Sequence, residues 1–104
     1  MKLYLISQDV TNGYDTYDSA VVLAESEDDA KLIHPDEFYD LYDEGFDCDD
    51  HTGWYHEFPD GTRAFCYHNF ASWSYSPDQV TAELIGTSTT TRQRGVVLAS
   101  FNAG

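Results

Sequence analysis

The chain has 104 residues, is 41% apolar and 15% aromatic, and sets nineteen acidic side chains against five basic ones for a formal net charge of -14. That length suits one domain with one modest core, and the aromatic content is too high for a disordered acidic tail. The charge argues against bare nucleic acid or an anionic membrane as partner, because gripping either needs Lys and Arg. Three destinations fit it: a basic protein, a divalent cation, or solvent, with the charge serving only solubility. The N-terminal run Met1–Ser7 is too short for a signal peptide, and no run reaches transmembrane length, so a cytoplasmic location is expected. Two cysteines, Cys48 and Cys66, do not make a disulfide framework; free thiols or ligands are the expectation.

Lys2 to Gln8 reads as a first strand, with Leu3 and Leu5 on one face and Tyr4 and Ile6 on the other. Asp9 to Asp18 is a loop with Asn12-Gly13 as its turn signal. Ser19 to Ala24 is a second strand whose unbroken apolar run predicts burial on both faces. Ser26 is a good N-cap for a short helix ending at His34, and Glu27, Asp28 and Asp29 fill the first turn, where carboxylates meet the positive helix end. Pro35 to Glu44 is expected to be another short helix, ended by Gly45, with Phe38, Leu41 and Tyr42 on one stripe; its repeated carboxylates repel one another and weaken it. Phe46 to Gly53 is acidic loop. Trp54–Phe58 and Arg63–His68 form a predicted hairpin around Pro59-Asp60-Gly61-Thr62, with Trp54, His56 and Phe58 on one face, Tyr55 and Glu57 on the other. Asn69 to Ser76 is irregular and aromatic. Val80 to Ile85 and Gly95 to Phe101 are the last strands, with Thr87–Arg92 expected as a polar hairpin loop between them.

This order predicts a single α+β domain over residues 1–104: a small antiparallel or mixed sheet of about four to six strands with one or two short helices on one face. The outer segments, 1–34 and 77–104, read as scaffold. Residues 36–76 read as an acidic and aromatic elaboration laid on it.

The outer segments also carry a resemblance. Met1-Lys2-Leu3-Tyr4-Leu5-Ile6-Ser7-Gln8, Tyr14-Asp15-Thr16-Tyr17-Asp18-Ser19-Ala20-Val21-Val22, Ala30 to Pro35, and Gly95 to Gly104 resemble a group of small acidic bacterial and phage-associated proteins of uncharacterised function. Roughly half the chain is covered, and the middle is longer here than in that group. No catalytic residues come with the resemblance. It implies, by analogy, a host- or defence-directed inhibitor.

Asp9 to Asp60 holds seventeen of the nineteen carboxylates and one base, Lys31. Carboxylates at phosphate-like spacing on a folded body can answer a groove lined with Arg and Lys, with preorganisation and electrostatic steering as the advantage. The expected patch is Asp36, Glu37, Asp40, Asp43, Glu44, Asp47, Asp49 and Asp50, with Tyr14 and Tyr17 supplying large contact area at low entropic cost. The alternative is a solvated acidic face without a specific partner.

Cys48, His51, Cys66 and His68 are zinc-type ligands that tertiary structure would have to bring together, giving a metal-stabilised structural protein as a second reading. Thr52 stands where an EF-hand loop starting at Asp47 needs Gly. A small hydrolase is the third reading; with so many clustered acids a carboxylate pair arises by chance, and neither a nucleophile elbow nor a phosphate-binding Gly motif is present. The expectation is therefore a non-enzymatic, cofactor-free acidic module, of the kind that mimics DNA on a basic partner protein. A homodimer through an edge strand or an aromatic face stays open.

Overall fold

The computed structural model describes residues 1–42, 50–88 and 93–102. Its architecture is α+β. Strands β1 (Lys2–Ser7), β2 (Thr16–Ala24), β6 (Thr81–Thr87) and β7 (Gly95–Asn102) form an antiparallel sheet in the order β6-β1-β2-β7, and β3 (Asp40–Leu41), β4 (His51–Glu57) and β5 (Arg63–Tyr67) form a second one in the order β3-β4-β5. A one-turn helix, α1 (Glu27–Ala30), follows β2. The large sheet is built from the two ends of the chain and the small sheet from its middle.

Period-two alternation decides which face is buried. Tyr4 and Ile6 of β1 and Ala20, Val22 and Ala24 of β2 point into the core, where Ala30 and Ile33 from the α1 region cover them. The opposite face carries Leu3, Leu5 and Val21 half-buried and Leu98 exposed, paired side by side as Leu5–Val21–Leu98 across the strands. Trp54 of β4 and Trp73 are the two largest fully buried side chains, so the indoles are the centre of the core. The Trp54 Nε1–H donates to the Ser74 carbonyl at 2.8 Å, which makes burial of its polar edge affordable.

Local signals were realised at several turns. Ser26 caps α1, its Oγ accepting from the Asp29 amide at 3.1 Å, and the Asp29 carboxylate reaches back to the Glu25 amide at 3.0 Å. The Pro59–Thr62 turn closes the β4–β5 hairpin: Asp60 Oδ1 accepts from the Thr62 amide and hydroxyl, and Gly61 takes φ 89°.

Three expectations are corrected. The predicted Pro35–Glu44 helix is not formed over its described part. Asp36 instead nucleates a turn, its Oδ1 accepting from the Phe38 amide at 3.0 Å, and Asp40–Leu41 then pair with Tyr55 and Trp54. Leu41 is thereby placed on the Trp54 side without facing carboxylates at helical spacing. The helix after Ser26 is one turn, because 3-10-type bonds from Leu32 to Asp29 and Ile33 to Ala30 tighten it ahead of Pro35. The last two strands do not form a hairpin: β6 and β7 lie on opposite edges of the sheet, separated by the β1–β2 pair.

Candidate functional site: an acidic and aromatic surface

Of the nineteen carboxylates, four (Asp43, Glu44, Asp47, Asp49) lie outside the described residues; none of the remaining fifteen is buried. They do not form one patch. Asp9, Asp15 and Asp18 sit at the β1–β2 loop end of the large sheet, and Glu25, Glu27, Asp28 and Asp29 at the far end of β2, roughly 30 Å away at about 3.3 Å per strand residue. A third group, Asp36, Glu37, Asp40, Asp50, Glu57 and Asp60, belongs to the middle segment, while Asp78 and Glu83 stand apart, in the Pro77–Gln79 turn and on β6.

Several of these groups also hold the fold. Asp29 pairs with Arg94 at 2.9 Å, tying α1 to the segment entering β7. Glu37 Oε1 accepts from the Val96 amide at 3.0 Å and so ties the Asp36 turn to the outermost strand β7. Glu27 lies 3.9 Å from Lys31, and Glu57 3.3 Å from Arg63. Asp40 and Asp50 are exposed.

The two tyrosines of the β1–β2 region part company. Tyr14 is 81% exposed. Tyr17 turns inward, its ring 4.7 Å from Phe101 and edge-on to His34 at 6.4 Å, and burial first, then the Asp36 charge, raises its phenol. The stretches of chain around Tyr17, His34 and Phe101 therefore meet in space. His34 is the buried hub: Tyr39 and Trp54 lie 5.1 and 5.0 Å away, and Trp73 6.3 Å. Its Nδ1 accepts from the Asp36 amide at 2.9 Å, which leaves the ring proton on Nε2. Burial lowers this imidazole to about 3, against a smaller upward pull from the Asp36 backbone. Sequence reading passed over His34 as a helix end.

The metal candidates fall in different places. Cys48 lies outside the described residues. Cys66 points into the core, with burial pushing its thiol up; its Sγ lies 3.8 and 3.9 Å from the Tyr67 and Phe70 carbonyls, and Thr52 Oγ1 donates to its backbone carbonyl at 2.9 Å. A raised thiol is the opposite of what a nucleophilic cysteine needs. His68 does not share a strand face with it, because β5 ends at Tyr67 and His68 opens a 3-10 turn against Tyr75. His51 and His68 do line one open surface concavity of about 590 Å³ with Asp50 and the exposed rings of Tyr67 and Phe70. Among the described residues no group of three His, Cys, Asp or Glu side chains is placed to hold a metal ion.

The small sheet has a polar, aromatic outer face. Leu41, Trp54 and Cys66 take the inner positions; Asp40, Tyr55 and Phe65 stand side by side across the outer one, with Tyr42 and Arg63 beside them. Tyr42 meets Tyr55 and Phe65 edge-on, and His51 stacks on Phe65 at 4.3 Å. The sequence signal for this face was the pairing of Tyr55 with Glu57 on the side opposite Trp54. What it lacked was β3, which adds Asp40 and leads directly into Tyr42. No protein-family model, curated protein or solved structure matches the chain. No helix among the described residues is long and apolar enough to cross a membrane.

Proposed function

We propose that this chain is an acidic interaction module that occupies a basic, nucleic-acid-binding surface of a partner protein and inhibits or modulates that partner without chemistry of its own. The observation that carries the reading is the outward placement of all fifteen described carboxylates, none of them used in the core. Five bases cannot neutralise nineteen acids, so the excess faces outward and can be discharged by a cationic partner. The division of the acids among both ends of the large sheet and the small sheet favours a partner that wraps the molecule, or one that takes a single group. The middle group is favoured, because there the carboxylates stand beside rings that add apolar contact area.

The test is capture from a bacterial lysate on immobilised protein at low and high salt, with duplex DNA as competitor. The reading expects basic nucleic-acid-binding proteins that salt or DNA elutes. Retention of partners indifferent to both would overturn it.

A further inference from the structure

The outer face of the small sheet does more than present charge. Arg63 lies on it with its guanidinium carbon 5.4 Å from the Tyr42 and the Tyr55 ring centroids, and its Nε is 3.3 Å from Glu57 Oε1. Two ring faces and a carboxylate are the elements that hold a guanidinium, which is planar, delocalised and weakly hydrated; an ammonium, compact and strongly hydrated, gains less from the rings. The face thus already holds one such group from its own chain. A further carboxylate stands on the same face: Asp40 pairs directly with Tyr55 across β3–β4, is exposed, and has no cationic partner among the described residues.

We propose that this face recognises arginine side chains of a partner in preference to lysine, with the Asp40–Tyr55 position as the berth and the Glu57–Arg63 pair as its intramolecular counterpart. The proposal rests on the reading of the chain as a binder of basic proteins, and narrows it to arginine-rich surfaces. Tyr55 stands between Asp40 and Phe65 across the strands, with Tyr42 edge-on to both rings, so a cation drawn to Asp40 arrives beside aromatic surface that favours a guanidinium. Arg63 is itself exposed, with its side chain 43% accessible, and exposed pairs are weak, so an incoming guanidinium competes with it for the rings.

The experiment titrates the full chain with two peptides of equal length and charge, one alternating Arg and Gly, the other Lys and Gly, following backbone amide shifts and affinity. The arginine peptide is expected to bind about 3- to 10-fold tighter, in the range set by cation–π contacts, with shifts centred on β3–β5. Tyr42→Leu with Tyr55→Leu should reduce that preference to near unity while leaving lysine-peptide affinity in place. If that variant does not fold, Arg63→Gln serves instead and should raise the preference by freeing the rings. Equal affinity for the two peptides, a preference that survives loss of the rings, or one that Arg63→Gln leaves unchanged overturns the arginine assignment and leaves the acidic-module reading standing. Absence of binding to either peptide at low salt overturns both.

Discussion

His34 shows how a single side chain couples folding to pH. Its folded-state value of about 3 lies below the ordinary 6.5, so between those values the unfolded chain binds a proton that the folded chain refuses. Stability from this group is therefore full above pH 6.5 and is lost as pH falls toward 3, with a slope of at most about 1.4 kcal/mol per pH unit. The upper part of that window precedes titration of most carboxylates. Urea unfolding should show the midpoint falling between pH 7 and 5, and His34→Gln should flatten that dependence; an unchanged slope in the variant would show that the imidazole is not its source. Only Pro35 beside it was legible in the sequence. The enclosure by Tyr17, Tyr39, Trp54 and Trp73 is assembled from four separate stretches of chain, and no local pattern announces it.

Elements were legible where one local rule acted alone. The alternation of Leu3, Tyr4, Leu5 and Ile6, the apolar run of β2, the Ser26 cap and the Pro59–Thr62 turn each specify their structure over a few residues. The Pro35–Glu44 stretch was not, because Phe38, Leu41 and Tyr42 fit a helical stripe while Leu41 and Tyr42 equally fit a strand that sends one side chain in and the next out. The balance was tipped by a partner strand far along the chain, β4, whose Tyr55 and Trp54 pair with Asp40 and Leu41. The β6–β7 connection failed for a similar reason: its short polar loop satisfies a hairpin, but both flanking strands find better partners in the central β1–β2 pair. The Glu37 carboxylate accepts from the Val96 amide and so has a structural role beside its charge. Glu37→Gln keeps an acceptor and should leave stability near wild type, whereas Glu37→Ala should lose about 1 kcal/mol in denaturant unfolding; equal losses would place the effect in charge rather than in that bond.

For the whole molecule, charge acts on folding and on binding with opposite signs. Fourteen uncompensated negative charges repel one another in the folded body. Screening that repulsion should raise the melting temperature between low and moderate salt, while the same screening weakens attraction to a cationic partner. A protein whose acids served only solubility would show the first effect without the second. The acid excess was plain in the composition, but its division among three groups was not. That division depends on β2 carrying the chain from one end of the sheet to the other between Asp15 and Glu25, and on the middle segment folding as a separate sheet.

The most direct measurement is competition for the basic partner identified by capture, with labelled duplex DNA bound to it and the acidic chain added. Mutually exclusive binding is predicted: DNA leaves as the chain binds, rising salt weakens the chain's own affinity, and Asp40→Asn with Asp50→Asn shifts the displacement curve to higher concentration. A stable complex holding partner, DNA and chain together, or an affinity indifferent to salt, would contradict the account.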